Sequence, residues 1–534
     1  MGIVDTVVGA GAAPATAPPD RAPFQSILRP DGLPDEPRAD PDYFHDLHLD
    51  EIVRSITVGR DPYDLVPFFR ERATDVETVR YRQQVFRDLD RQPVMSVIRS
   101  FAAGMREVRA HRDLAAKAYY GYERERWVLE AASTWCRTSR ALLDGLESNG
   151  IEAPGIEAPG LTGVRDYLRA YIASTAFAAL ATDAEHVEEA FAGIRYRLRL
   201  ETGKFTVSRA LDEPDFGAEL LATFERFKQG DGREYPFEFS VSPQLNHIEA
   251  AVTERVARLF PAVFASLDAF YTAHADFADP VILRFDREVQ FYVAYLEHIA
   301  RLRRGGMAFS LPDVSATATA FTATGLFDLA LASHLAGERT SLVLNDIDAR
   351  EPERIVVITG PNQGGKTTFA RAIGQMHHLA AIGCPVPGTK VRMGLVDGIH
   401  ALFERQENVE DLASKLEEDL RRMRAILGQL TDRSLVIMNE TFSSTTVGDQ
   451  AFINREVLAA IDAAGAWCVT VTFLDELASL GPSTLSMVST VDPSNPARRT
   501  FRIIRRDADG LAYAMAVAQK HGLTYDQVRA EIDA

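Results

Sequence analysis

The sequence predicts a mainly α-helical N-terminal region carrying a small β-containing insertion, followed by a C-terminal α/β domain built on a largely parallel sheet. Three observations lead there. Apolar residues recur at helical spacing through most of residues 40–304. Within that stretch, 194–243 turns to alternating apolar and polar positions. From about 340 onward, short β-rich runs alternate with helical segments, as expected when helices cover a parallel sheet. At 534 residues the chain is long for one domain. We expect an unstructured Ala/Pro-rich leader at 1–39, the helical region at 40–335 and the α/β domain at 340–534.

The leader, MGIVDTVVGAGAAPATAPPDRAPF, lacks a basic start, and glycine interrupts its short apolar run, so it does not read as a signal peptide. Next, Leu47, Leu49, Ile52, Val53 and Ile56 recur at helical spacing, as do the apolar residues of VETVRYRQQVFRDL (76–89). The Pro/Gly content of GIEAPGIEAPG (150–160) marks a connector, and 161–193 returns to helix. In the insertion, 194–200 alternates, GKFTVSRAL (203–211) has strand propensity, and YPFEFSVSP (235–243) alternates again. Helices resume from about 244 and stop at Arg301, Arg303, Arg304, Gly305 and Gly306, basic residues followed by glycine. Four buried strands are then expected, in SLVLNDI, RIVVITG, SLVIMNE and AWCVTVTF.

Composition excludes some classes. The chain is 46% hydrophobic and 25% charged, ordinary for a soluble globular protein. Nothing approaches the run of roughly 18 apolar residues that a membrane helix needs. Cys136, Cys384 and Cys468 are far apart without metal-ligand spacing, which fits a reducing, cytoplasmic setting. A net charge of −18 argues against coating nucleic acid indiscriminately, although a local basic stripe can still act within an acidic chain.

The chemistry concentrates at Gly360-Pro361-Asn362-Gln363-Gly364-Gly365-Lys366-Thr367, which matches G-x-x-x-x-G-K-[ST]. A strand (RIVVIT) precedes it and a helix over 368–378 follows. In such a loop, glycines let backbone N–H groups face phosphates, the lysine reaches the outer phosphates and the hydroxyl of Thr367 can ligate Mg²⁺. Nucleotide binding follows. His377 and His378 in this helix point in different directions, as adjacent helical positions do, and read as packing residues.

GPNQGGKTT is more specific than a generic phosphate loop. With PVPGTKVRMGLVDGI, SLVIMNETFSSTTVGDQA, VTFLDELASL and GLAYAMAVAQKHGLT, it makes the chain resemble the ATPase domain of the MutS family, an ABC-type ATPase, from about Asn345 to about Asp526. LDEIVRSIT and VRYRQQVFRDL are more weakly similar to that family's core and lever helices, and 194–243 sits where the family places its DNA clamp. The resemblance implies ATP and Mg²⁺ as cofactors. It puts Asn345, the loop from Gly360 to Lys366, Thr367 and Thr368 around ATP, and Thr367 with Asn439 at Mg²⁺. Lys366 and Glu440 become the catalytic pair, Glu440 as general base or water-positioning residue. Ser414, 25 residues before Asn439, would complete the site of a second subunit, in a homodimer with composite ATP sites. As a bare helix start it also fits an N-cap, with Glu417 completing a capping box. Asp449 would be an inter-subunit loop residue.

Three positions depart from the family pattern. Asn439 stands where an acid assists Mg²⁺, Phe473 where a histidine senses the γ-phosphate, and Leu416 and Asp419 replace the usual Phe and Glu of the signature. The first two imply slow hydrolysis. About 40 residues precede the core, too few for the family's mismatch-reading domain with its Phe-x-Glu wedge, and no nuclease-like tail is expected. Arg195, Arg197 and Arg199 alternate, and Lys204, Arg209, Lys228 and Arg233 share the insertion; on a strand they would meet DNA phosphates or pair with nearby acids. Two functions are therefore open. One is an ATP-driven homodimeric clamp on mismatched, branched or otherwise non-B DNA, recognised by structure, in repair or recombination. The alternative is an ATP-gated dimerisation switch that scaffolds a protein partner without binding DNA.

Overall fold

The apolar run Ile355–Thr359 is buried at every position, as a strand covered on both faces requires. It lies inside a six-stranded sheet with the order Ile399–Phe403, Leu435–Asn439, Trp467–Val471, Ile355–Thr359, Thr484–Asp492, Asn495–Arg505. The first five strands are parallel and the last is an antiparallel edge. Alternate side chains of the central strands feed two cores. Val356, Ile358, Ile437 and Val469 join the main core, whereas Ile355, Val357, Val436 and Met438 join a second one with Met423, Leu458 and Ile461. Strand order reverses beside Ile355–Thr359, where α/β sheets form their ligand crevice. The helix Lys366–Ala381 leaves from that point.

The computed structural model describes residues 24–148, 155–202, 204–210, 244–317, 320–336, 342–403, 412–492, 494–508, 523–525 and 528–529, without the side chains of 412–414 and 495–497. The YPFEFSVSP strand, Lys228, Arg233 and most of GLAYAMAVAQKHGLT lie outside the described residues.

A second sheet of four strands has the order Asp313–Ser315, Lys390–Gly394, Phe321–Leu326, Asn345–Ala349. Beside it, Phe309–Ser310 pairs with Val386–Pro387. The helical assignment of 40–335 is therefore corrected at its end: three short strands, Phe309–Ser310, Asp313–Ser315 and Phe321–Leu326, hydrogen-bond residues beyond 340. These strands are short and take their partners from distant segments, so little local periodicity announces them.

The expected leader also needs correction over residues 24–39. Ile27 and Leu28 are fully buried, and the strap they belong to is held by Tyr292 Oη donating to Ile27 O (2.6 Å) and Arg82 Nε to Leu28 O (2.8 Å). Tyrosine and arginine donors on two helices satisfy the carbonyls of a strap that lies outside any helix or strand.

The helical region packs directly on the α/β half. The helix Leu49–Thr57 buries Leu49, Ile52, Val53 and Ile56, and Val76–Leu89 starts at Asp75, whose side chain accepts from Thr78 N at 2.7 Å. Leu47 lies on Gly374 of the helix Lys366–Ala381, where an added Cβ would stand 2.7 Å from its Cδ1. Gln375 Nε2 donates to Leu47 O (2.9 Å) and Ala73 N to Ala381 O (2.9 Å). One core consequently runs from Ile27 to Ile503.

Two long antiparallel helices, Gln92–Lys117 and Gly121–Glu147, project from it, with Gly104 closed over Thr138 and Gly145 over Val97. At about 1.5 Å per residue the first is roughly 39 Å long. Their turn carries a satellite core of Val256, Ala257 and Phe264 with Tyr122. There the hairpin Tyr196–Glu201/Lys204–Arg209 packs on the helix His247–Leu259, with Arg255 over the Phe205 ring at 4.5 Å. Among the described residues, no helix is long and apolar enough to cross a membrane.

Candidate phosphate-loop site

The loop after Ile355–Thr359 turns on residues with positive φ: Gly360 (112°), Gln363 (59°) and Gly365 (88°). Glycine is needed at two positions for space as well. A Cβ on Gly360 would lie 2.7 Å from Ser489 O, and one on Gly364 would lie 2.2 Å from Ser489 Oγ. Ser489 Oγ donates to Gly364 O at 2.8 Å, so the neighbouring strand braces the loop. The helix Lys366–Ala381 opens with its N-terminal N–H groups toward this turn, the arrangement that attracts anions.

Lys366 is buried, and its Nζ donates to Gly360 O at 2.7 Å and Pro361 O at 3.4 Å. Burial pulls its pKa down to about 8; Glu440 and Asp475 oppose that shift, and Arg499 adds to it. Arg499 Nε donates to Asn362 O at 3.0 Å, which brings a second cation to the loop. Thr367 Oγ1 donates to Asn439 Oδ1 at 2.7 Å, so the head of the helix and the end of Leu435–Asn439 meet as two neutral oxygens.

Glu440 follows that strand with φ 52°, its N–H donating to Val471 O at 2.9 Å. A left-handed glutamate costs conformational energy and persists where its surroundings over-determine it. Here Phe442 is fully buried, also at positive φ (57°), Thr441 Oγ1 donates to Asn454 Oδ1 (2.9 Å), and Gln450 Nε2 donates to Thr441 O (2.9 Å). Glu440, Asn362, Thr367 and Thr368 line one cavity of about 390 Å³. Its other wall is apolar, formed by Leu326, Phe327, Leu331, Leu342 and Phe501. Cationic loop at one end and apolar wall at the other suit a ligand with a phosphate tail and an aromatic head.

Asn345 lines the cavity too, but its amide is engaged: Oδ1 accepts from Ile503 N (2.8 Å) and Nδ2 donates to Phe501 O (3.2 Å). Phe473 sits with its ring centroid 4.1 Å from Lys366 Nζ. Asp449 takes part in a helix cap, accepting from Thr446 Oγ1 at 2.8 Å. Ser414 falls in the first turn of the helix Leu412–Leu427, and its side chain lies outside the described residues. His377 and His378 are buried and each pushed down to about 3 by burial; His378 Nδ1 meets Tyr43 Oη at 3.1 Å and Nε2 meets Phe69 O at 2.8 Å.

Ser489, Arg499, Phe501 and Asp328 carry no local motif. Asp328 caps the helix Leu329–His334 and accepts from Gln375 Nε2 (2.9 Å), which ties the cavity wall to the helix Lys366–Ala381. Among the described residues, no group of three or more His, Cys, Asp or Glu side chains is placed to hold a metal ion.

On the hairpin, strand alternation separates two faces. Tyr196, Leu198 and Leu200 stand opposite Arg209, Val207 and Phe205, whereas Arg197, Arg199 and Glu201 stand opposite Ser208, Thr206 and Lys204. Arg199 pairs with Glu201 at 3.2 Å while staying largely exposed. Arg195 lies before the strand and donates to Ala192 O (2.7 Å) and Ile194 O (3.0 Å).

Residues 356–529 match the family model described as MutS domain V. The DNA mismatch repair protein MutS 2 of Halobacterium salinarum is 29% identical over 210 residues, which is 38% of this chain and 24% of that protein. The DNA mismatch repair protein MutS of Rickettsia bellii is 36% identical over 141 residues, 26% of this chain and 16% of its own. The Endonuclease MutS2 of Lactiplantibacillus plantarum is 28% identical over 228 residues, 41% of this chain and 29% of its own. The chain thus spans less than a third of the length of these relatives.

Proposed function

The chain belongs to the MutS family, and from that premise we propose that it binds ATP at residues 360–368, hydrolyses it slowly, and works as a homodimeric clamp on mismatched, branched or otherwise non-B DNA. The observation that carries this reading is the convergence of Lys366, Thr367, Asn439 and Glu440, from separate segments, at one end of the parallel sheet beside the 390 Å³ cavity. Lys366 and the helix N-terminus supply positive charge for the outer phosphates. Glu440, at the mouth of its strained turn, orients the attacking water and accepts its proton. Mg²⁺, when bound, would neutralise phosphate charge, with the Thr367 hydroxyl and the Asn439 amide oxygen as the protein atoms offered to it and its waters.

The rate is low because two groups are weak. Asn439 contributes an acceptor without charge, and the Phe473 ring cannot hydrogen-bond a phosphate. Ser414, at the start of its helix, completes the site of the second subunit. Residues 40–335 serve as core and lever, and the insertion at 194–243 is the clamp, its Arg197/Arg199/Lys204 face meeting phosphates without reading sequence. The buried free thiols Cys136, Cys384 and Cys468 accord with a cytoplasmic protein.

The test has two parts. Lys366→Ala should lose ATP binding, and Glu440→Gln with ATP should accumulate a dimer in sedimentation. Gel shifts with duplex, mismatched and four-way-junction DNA across a salt series should favour the non-B substrates. A protein that dimerises on ATP and shifts none of them at any salt concentration would instead be a switch that scaffolds a protein partner.

A further inference from the structure

The edge strand Asn495–Arg505 is tied to its surroundings on two sides, and it delivers a second cation to the phosphate loop. On one side lies the strand of Ser489, whose Oγ donates to Gly364 O at 2.8 Å, and the hydroxyls of Thr490 and Thr500 meet at 2.6 Å between the two strands. On the other side, the Asn345 amide holds Phe501 O (3.2 Å) and Ile503 N (2.8 Å). Beside these ties Arg499 stands opposite Val491, and its Nε donates to Asn362 O at 3.0 Å. Asn362 directly follows the two residues whose carbonyls receive Lys366 Nζ, Gly360 (2.7 Å) and Pro361 (3.4 Å). The lysine of such a loop serves the outer phosphates, so its position marks residues 360–362 as the outer-phosphate end. Arg499 and Lys366 are thus two cations at one end of one loop, near enough that Arg499 helps to lower the Lys366 pKa. Like charges held this close repel, and an anion bound beside them removes that cost.

We propose that Arg499 is a further phosphate-binding residue of this site: an arginine of the same chain that contacts the terminal phosphoryl group from the Asn362 side of the loop and stabilises the charge that develops there during hydrolysis. The proposal rests on the reading that residues 360–367 hold phosphates. A guanidinium carries five N–H donors in a planar fork, enough to keep the loop carbonyl and reach a phosphate oxygen together. The two cations come from different elements, the helix Lys366–Ala381 and the edge strand, so each has its own approach to the phosphates. In phosphoryl transfer negative charge spreads over the three equatorial oxygens, and an arginine placed at them acts mainly on the rate.

The test is single-turnover hydrolysis of ATP with Mg²⁺ by the full chain, beside equilibrium binding of ATP, for wild type, Arg499→Lys and Arg499→Gln. Lysine keeps the charge and loses the fork, whereas glutamine loses the charge and keeps an N–H for Asn362 O. At a half-buried position on an edge strand both variants should fold. Hydrolysis should fall about ten- to hundredfold in Arg499→Gln and less in Arg499→Lys, with ATP affinity reduced no more than about tenfold in either. Trapping of ADP by fluoroaluminate, a mimic of the phosphoryl group in transfer, should weaken in the same order. An arginine that only braces the loop gives another ranking: glutamine would then preserve hydrolysis and trapping at least as well as lysine, and that result overturns the proposal. So do two variants that hydrolyse and trap like wild type while Lys366→Ala still abolishes ATP binding. Were the wild-type chain to bind no ATP, the phosphate-loop reading would fail, and this proposal with it.

Discussion

Thr367 Oγ1 donates a hydrogen bond to Asn439 Oδ1 at 2.7 Å, so a carboxylate at 439 keeps the acceptor in place and adds one negative charge. Attraction to Mg²⁺ favours that charge, and repulsion from phosphate opposes it. At an effective dielectric near 20 each effect is on the order of a few kcal/mol at roughly 5 Å, so the net is a small difference. We expect Asn439→Asp to tighten Mg²⁺ dependence and raise turnover about tenfold or less, since a factor of ten needs only about 1.4 kcal/mol. Glu440→Ala should retain ATP and lose most hydrolysis. Single-turnover hydrolysis with a Mg²⁺ titration checks both; an unchanged Mg²⁺ profile in the first and normal hydrolysis in the second would detach this strand from the nucleotide. Lys366 adds a pH dependence. Its pKa is depressed to about 8, so the ammonium population falls as pH rises through that value. Phosphate binds the charged form, and ATP affinity should therefore decline above pH 8, by up to about tenfold per pH unit for one linked proton. Equilibrium binding from pH 7 to 9.5 reads this directly, and a flat profile would mean that the ammonium does not contact the nucleotide.

The hairpin shows what an element adds to its residues. Alternation puts Arg197 and Arg199 on the face opposite the one packed on His247–Leu259, with Lys204 across from Glu201 on the same side. Reversing Arg195, Arg197 and Arg199 to Glu should abolish DNA binding and leave basal ATPase unchanged, because the hairpin sits at the turn of helices roughly 39 Å long. Single substitutions should weaken binding in steps, and every DNA phosphate left without its arginine should flatten the logarithmic salt dependence by about 0.9. Unaltered affinity in the triple variant would place the DNA interface elsewhere. The hairpin, the helix Val76–Leu89 and the phosphate loop could all be read from consecutive residues, because each carries its own periodicity, cap or motif. Phe309–Leu326 could not: its strands have two, three and six residues and take partners from 345–349 and 386–394. Ser489 and Phe501 were hidden for the same reason. Their role depends on which strand lies beside Ile355–Thr359, and that neighbour is 125 residues away from Gly364 in the case of Ser489. Asn345, read from its motif as a nucleotide contact, spends its amide on holding the Phe501 strand.

Across the whole molecule, one core joins the strap at 26–28, the helical region and the phosphate-loop helix, so stability and nucleotide site share supports. Arg82 is the clearest link, donating to Leu28 O (2.8 Å), pairing with Glu71 (3.0 Å) and reaching Ile382 O (3.5 Å) at the end of the helix Lys366–Ala381. Glu288, 1% exposed, holds the same strap by accepting from Ser26 Oγ and Ile27 N, each at 2.9 Å. Burial nevertheless dominates and pushes its carboxyl up to about 7, and Asp286 beside it up to about 6 even though Arg109 pulls the other way. A carboxyl raised from its usual value keeps its proton longer in the folded state. Its contribution is complete below about 4.5 and lost as pH rises through about 7. For Glu288 alone the change across that window is on the order of 3 kcal/mol. Glutamine imitates the protonated acid, with one acceptor oxygen and a donor that can turn to Ser26 Oγ. Glu288→Gln should therefore come nearest to wild type at about pH 4.5 and exceed it at pH 8, where the wild-type carboxylate is charged and buried. Thermal melts of both proteins from pH 4.5 to 8.5 measure the divergence. A wild-type midpoint that stays level across the range, or a glutamine variant whose midpoint falls in parallel with it, would show that some other group governs the alkaline loss.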